Sequence, residues 1–173
     1  MISRLKTATI LPDICVIEIA MKGRKGYEIL KEIKTVSASM KVLVFTAIHK
    51  EEAIMYMLKY GASGYLVKDI HFGELAKALR AVHEKGQYIG VSAIDSLLHS
   101  TIDWQENHNA ITEAEMRFLS FCCDDTVYKE IAGKTGVSPR TIEKYRDSLF
   151  KKLKIRTKTG LATFAMDMGF SPH

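Results

Sequence analysis

The period of the hydrophobic pattern changes partway along this chain, and that change restricts the fold more than any single residue does. Between residues 14 and 100, short β-rich runs alternate with amphipathic helical ones. Ile14-Cys-Val-Ile-Glu-Ile reads as a buried strand, residues 26–36 as a helix, and Lys41-Val-Leu-Val-Phe-Thr as a second buried strand. A helix from Glu51 to Tyr60 ends at Gly61, and Tyr65-Leu-Val-Lys is a third, short strand. Phe72, Leu75, Leu79 and Val82 then fall on one stripe of a further helix. Strands alternating with helices predict βαβ units and a parallel sheet covered on both faces.

The rhythm is lost over residues 86–110. Gln87-Tyr-Ile-Gly and a short helix around 91–98 lead into the polar stretch Thr101-Ile-Asp-Trp-Gln-Glu-Asn-His-Asn-Ala. Everything after it reads as helix. The pattern divides the chain into an α/β domain at 1–86, a linker with a short helix at 87–110, and an all-α domain at 111–173. Thr112 and Glu115 form a capping box for the first helix of that domain.

At 173 residues, 47% apolar and 26% charged, the chain has an ordinary globular composition. No apolar run nears the roughly 20 residues that span a bilayer, and the N-terminus lacks a signal-peptide core, so no membrane association and a cytoplasmic location are expected. Cys15, Cys122 and Cys123 lack zinc-ligand spacing and read as buried thiols, and the six histidines are scattered. No Ser-His-Asp arrangement or Walker-type loop is present. We therefore expect no catalytic residues, no metal and no cofactor.

Charge is placed unevenly. Residues 104–130 carry two basic and six acidic side chains, whereas residues 140–158 carry eight basic (Arg140, Lys144, Arg146, Lys151, Lys152, Lys154, Arg156, Lys158) and two acidic. That cationic cluster is a candidate phosphate footprint. It sits on the strongest helix signal in the chain. A short helix from Asp125 to Ala132 is followed by a Gly133–Val137 turn, and Ser138-Pro139 gives an N-cap hydroxyl and a proline at the first helical position. Ile142, Tyr145, Leu149 and Leu153 line one face; Arg140, Lys144, Asp147 and Lys151 line the other. A short helix, a tight turn and a second helix with a cationic outer face make a major-groove reader.

Ile111-Thr-Glu-Ala-Glu-Met, Tyr128-Lys-Glu-Ile-Ala and Val137-Ser-Pro-Arg-Thr-Ile-Glu-Lys-Tyr-Arg through Lys152-Leu-Lys-Ile resemble the LuxR-type four-helix domain of the NarL/FixJ response regulators. The resemblance implies a sequence-specific DNA-binding transcription regulator, with double-stranded promoter DNA as partner. Glu143, Lys144 and Asp147 take the positions that commonly touch base edges in that family, and Lys129, Arg140, Thr141 and Lys151 those that usually meet phosphates. Tyr145 replaces a frequent histidine, which either alters a backbone contact or fills the same space. The last helix, about Lys158 to Met168, carries Leu161, Phe164, Ala165 and Met168; it packs on its own domain or, as in similar proteins, also forms a homodimer contact.

Residues 12–85 resemble the later part of a phosphoacceptor receiver domain, as in two-component systems. The stretch from Pro12 to Gly26 looks like the acceptor segment, Val44-Phe-Thr-Ala the threonine segment, and Gly61-Ala-Ser-Gly-Tyr-Leu-Val-Lys-Asp the aromatic and lysine segment. By that resemblance Glu18 occupies the phosphoacceptor position, Thr46 and Lys68 align with residues that bind phosphoryl oxygens, and Tyr65 aligns with the aromatic switch.

Two departures follow. Glu18 carries its carboxylate one methylene further out than an aspartate would, and in-line transfer depends on placement. The chain also begins about midway along the family's second helix, without the paired magnesium-binding acids or the central first strand, which makes the receiver incomplete and turns the strand at 14–19 into an open edge. Phosphorylation in the usual way is therefore not expected. Glu18 is either a permanent anion paired with Lys68 that partly imitates the phosphorylated state, or an ionised side chain at a disused site, and Lys22 and Lys25 could neutralise it. The remaining partners implied are a sensor kinase or a related regulator. An alternative to promoter binding is an interaction module that sequesters a related full-length regulator in heterodimers.

Overall fold

The computed structural model describes residues 2–21, 24–71, 73–104, 111–124 and 126–170, and the chain divides into two compact units, Met1–Ile102 and Asp103–His173. The first unit runs α1 (Ile2–Thr7), β1 (Ile14–Ile17), β2 (Ala20–Met21), β3 (Arg24–Lys25), α2 (Gly26–Val36), β4 (Lys41–Thr46), α3 (Glu51–Lys59), β5 (Gly64–Val67), α4 (Glu74–Lys85), β6 (Tyr88–Ile89) and α5 (Val91–Trp104).

Four strands form a parallel sheet in the order β1-β4-β5-β6, with Val16 beside Leu43, Val44 beside Tyr65, and Tyr65 beside Ile89. Alternation along the strands sends two sets of side chains to opposite faces. Leu43 and Leu66 pack on Ala78 and Val82 of α4, with Ile14, Phe45, Leu75, Leu79 and Tyr88 around them. Val42, Val44, Tyr65 and Val67, of the other parity, are buried as well. Both faces are covered, as a parallel sheet requires. β1 stands at one end of the sheet order and leaves Val16 42% exposed, so its apolar run is less buried than its composition predicts.

Residues 88–104, read from sequence as linker and short helix, hold a strand paired to β5 and a 14-residue helix. The β2–β3 hairpin was not anticipated. Its closure brings the start of α2 back over Ile19, so tightly that a Cβ on Gly26 would lie 2.4 Å from the Ile19 Cα.

The second unit is helical: α6 (Glu113–Leu119), α7 (Tyr128–Thr135), α8 (Pro139–Lys152) and α9 (Lys158–Asp167). Met116, Phe118, Leu119, Ile131, Ile142, Leu149, Leu161 and Ala165 form its buried apolar interior. Thr112 and Thr157 cap α6 and α9 through their hydroxyls, satisfying amides that the first turn leaves orphaned. No helix among the described residues is long and apolar enough to cross a membrane. Cys15 and Cys122 are buried and Cys123 is half-buried, and none of the three is in a disulfide.

Candidate nucleic-acid interface and receiver pocket

The turn between α7 and α8 is set by two residues. Gly136 takes a left-handed conformation (φ 71°) and donates its amide to Ala132 O at 2.9 Å, ending α7 about one turn beyond the Gly133 at which the sequence places the break. Ser138 then accepts from the Thr141 amide at 3.1 Å and Pro139 occupies the first turn, so α8 begins where the sequence predicts. Phe118 packs against both helices, 5.8 Å from Tyr128 and 6.4 Å from Tyr145. Tyr145 thus faces the unit's interior and fills space there.

Ile142 and Leu149 are fully buried, while Arg140, Glu143, Lys144, Asp147 and Lys151 are exposed along the opposite side of α8. Lys129 is exposed on α7. Thr141 is half-buried, with its hydroxyl 2.8 Å from that of Ser138. The face therefore presents three cations and two carboxylates on a helix whose other side is anchored.

Lys152, Lys158 and Arg146 of the basic cluster are engaged within the unit. Lys152 reaches across to Glu115 of α6 at 2.9 and 2.7 Å from its two oxygens, Lys158 donates to Thr126 O at 3.2 Å, and Arg146 bonds Asp147. Lys152 and Glu115 are both well buried, at 13% and 5% side-chain exposure, so Lys152 does not belong to a phosphate footprint. Glu115 also accepts from Ser148 of α8 and from the Thr112 amide at 2.7 Å. Burial pushes its carboxyl pKa up, but Lys152, Ser148 and Thr112 together hold it below the ordinary carboxylate value. Sequence reasoning assigned Glu115 the capping box alone; the box is present, and the same carboxylate also fastens α8 to α6.

Glu18, Thr46 and Lys68 converge at the C-terminal ends of β1, β4 and β5, where ligand sites of open parallel sheets lie. Glu18 Oε2 meets Lys68 Nζ at 2.6 Å, and its Oε1 accepts from the amides of Ile19 and Ala20 at 2.7 and 2.9 Å. Partial burial raises the Glu18 pKa, but the Ala20 amide, Lys68, Thr46 and the Ile19 amide outweigh it, and the net shift is downward. Glu18 is therefore a stable anion at neutral pH. Lys68 lies over the Phe45 ring at 5.5 Å. Tyr65 is fully buried and donates its hydroxyl to Ile48 O at 2.8 Å; burial, and the nearby Glu18 charge, raise its pKa. Lys22 and the side chain of Lys25 lie outside the described residues. Among the described residues no group of three His, Cys, Asp or Glu side chains could hold a metal ion. With both Glu18 oxygens already engaged, the described residues do not fit the divalent cation of an ordinary receiver.

Two family models match the chain: the response regulator receiver domain over residues 1–80 and the luxR family of bacterial regulatory proteins over residues 109–165. The transcriptional regulatory protein MctR of Rhizobium johnstonii is 28% identical over 160 residues, covering 92% of this chain and 74% of MctR. The nitrate/nitrite response regulator NarL of Escherichia coli is 26% identical over 158 residues, covering 88% of this chain and 73% of NarL. Among solved structures, RcsB from Salmonella enterica serovar Typhimurium, bound to promoter rprA in the presence of phosphomimetic BeF3-, superimposes with a TM-score of 0.67 at 20% identity over 95% of this chain and 79% of that one. The last likeness is one of fold.

Proposed function

The chain is a response regulator of the NarL/FixJ type, a receiver domain joined to a LuxR-type helix-turn-helix, and from that premise we propose how it reads DNA and how its receiver acts. It is a DNA-binding transcription regulator and not an enzyme. We place it in the cytoplasm as a homodimer on promoter DNA, with two copies of α8 entering successive major grooves of a two-fold symmetric site. α9 supplies the dimer contact; Met166 stands 49% exposed on it.

The observation that carries the DNA reading is the exposed face of α8, held rigid from behind by Ile142, Leu149 and the Glu115–Lys152 pair. We assign Glu143, Lys144 and Asp147 to base edges, and Lys129, Arg140, Thr141 and Lys151 to phosphates. A module that only sequestered a relative would not need this face, which favours promoter binding over heterodimer capture. Selection of the full chain on random duplex DNA, beside an Arg140/Lys144/Lys151→Ala triple variant, tests this. A two-fold symmetric motif lost in the variant is expected; no motif in either sinks the reading.

For the receiver, we propose that Glu18 serves as a fixed anion in place of a phosphorylated aspartate, with Lys68 and Thr46 as its partners and Tyr65 as the aromatic that responds. Its downward-shifted pKa and saturated oxygens support that role over nucleophilic attack on a phosphodonor. A sensor kinase is then not needed to set the state. The test is the operator affinity of Glu18→Gln and Lys68→Met, with and without acetyl phosphate. Lower affinity in both variants, and no effect of the phosphodonor on the wild type, are expected; phosphate incorporation at Glu18 would overturn it.

A further inference from the structure

Arg146 of the α8 cluster lies directly against a residue of the reading face, Asp147. Neighbours at i and i+1 diverge by about 100° around a helix and do not ordinarily meet. Here the guanidinium folds sideways so that Nε and Nη2 both donate to Asp147 Oδ1, at 2.9 and 2.7 Å. Its position is fixed from the other side by aromatic faces: the guanidinium carbon lies 5.7 Å from the Tyr128 ring centroid and 6.0 Å from that of Phe150. Tyr128 opens α7 and Phe150 lies one turn along α8, so the clamp is built from both helices of the motif. Arg146 is 30% exposed and Asp147 57%.

We propose that Arg146 is a specificity-positioning residue, which acts on base recognition through Asp147 instead of touching DNA itself. An unassisted aspartate on a groove-facing helix is a poor reader: it samples several rotamers, and its charge is repelled by the phosphate field. The clamp removes both difficulties. Two charge-assisted bonds end on Oδ1, and Oδ2 takes no part in them, which leaves it as the acceptor for a base. An oriented carboxylate acceptor in the major groove suits the exocyclic amino group of cytosine. The paired guanidinium offsets the carboxylate charge against the backbone. A fork is required for this, because a lysine at the same place offers one point of attachment and lies less well over two rings.

The inference rests on α8 being the recognition helix, and its test separates the two claims. The full-length protein and its Arg146→Ala, Arg146→Lys, Asp147→Asn and Arg146→Ala/Asp147→Asn variants are passed through the same random-duplex selection, with circular dichroism melts confirming that each is folded. Affinities are then measured over a range of salt on the wild-type motif and on its single-base variants. The expected result is that Asp147→Asn relaxes the preference at one base pair per half-site by about 5- to 100-fold, the range one good base contact supplies. Arg146→Ala should relax that same position, Arg146→Lys less so, and the double variant no further than Asp147→Asn alone. The salt dependence of Arg146→Ala should match the wild type. If instead Arg146→Ala weakens all sequences equally and lowers the salt slope by about one, Arg146 meets a phosphate and the positioning role is overturned. Equal effects of Arg146→Ala with and without Asp147→Asn overturn it too. A wild type that enriches no motif overturns the recognition-helix reading and this inference with it.

Discussion

Removing the Glu115 carboxylate should cost the second unit a large part of its stability, although Glu115 is not part of the reading face. Both oxygens of this 5%-exposed side chain are engaged: Ser148 on Oε1, Thr112 on Oε2 and Lys152 on both. Glu115→Ala strands the Lys152 ammonium in a site only 13% exposed, a change that typically costs about 3–5 kcal/mol, and it removes one arm of the capping box. A unit spanning Asp103–His173 has about 4–11 kcal/mol in total, at roughly 0.05–0.15 kcal/mol per residue. The variant should therefore lose about half of that unit's stability, taken at the middle of both ranges, and unfold at a correspondingly lower urea concentration. Glu115→Gln keeps the shape but not the charge, and should fall between. The Glu115→Gln/Lys152→Met pair, with no ion left to strand, should recover to within about 1 kcal/mol of the wild type.

The assay is urea denaturation of the full chain followed by far-ultraviolet circular dichroism, with amide exchange in α6 and α8 reporting the second unit. The pH dependence supplies an independent check. The folded Glu115 pKa is lowered, so the contribution of this group is fully present above its unfolded value of about 4.3. It is lost as pH falls from there through the folded value. Wild-type stability should drop in that window and the double variant's much less. A Glu115→Ala cost under about 1 kcal/mol, or a double variant no better than Glu115→Gln, would refute the claim that this pair couples α6 to α8.

Three further outcomes can be measured. Arg140→Ala/Lys151→Ala should flatten the slope of log affinity against log salt by about 2, because each lost phosphate contact removes roughly 0.9; an unchanged slope would take both off the backbone. Gly26→Ala, whose Cβ would stand 2.4 Å from the Ile19 Cα, should destabilise the first unit by about 1–3 kcal/mol in urea titrations and loosen the Ile19 amide that Glu18 accepts. Gly136→Ala, at φ 71° with open space around the added methyl, should cost about 1–2 kcal/mol from backbone strain alone; a neutral result in the same denaturation assay would show that the turn relaxes.

The parts of the fold legible in sequence were those whose signal is local and periodic. α2 and β4 occupy the residues their patterns predict, and the start of α8 follows from Ser138 and Pro139. β2, β3 and β6 are two residues each, too short to carry any period, and β6 was read as part of a linker for that reason. α7 runs past Gly133 because a mid-helix glycine costs only about 1 kcal/mol, whereas Gly136 offers the left-handed turn that ends it. The site residues show the same division. Arg140, Lys144, Asp147 and Lys151 could be placed on one face by counting along a helix. Lys152, one residue on, could not be separated from them by charge, since its partner Glu115 is 37 residues away. The sequence signal that could have found it was the buried stripe itself: Lys152 follows Leu149 by three, on the inward side of α8.

Glu115–Lys152 and Glu18–Lys68 share chemistry and differ in what they can do, and burial decides the difference. Glu115–Lys152 is enclosed, so breaking it leaves a stranded charge and a large loss of stability is the consequence. Glu18–Lys68 has side chains 24% and 44% exposed, and pairs at that exposure are worth about 0–1 kcal/mol. Such a pair cannot hold the first unit together, and Glu18→Gln should leave its melting nearly unchanged. It can still shift an equilibrium between receiver conformations by up to about five-fold, since 1.4 kcal/mol is tenfold. A phosphoryl group brings about −1.5 to −2 charge and three acceptor oxygens where Glu18 brings one charge and two. On the proposed reading Glu18 therefore biases the receiver toward its active arrangement without saturating it. DNA affinity in this chain is accordingly expected to respond in a graded way to changes at Lys68 and Thr46, the two side chains through which that bias is transmitted.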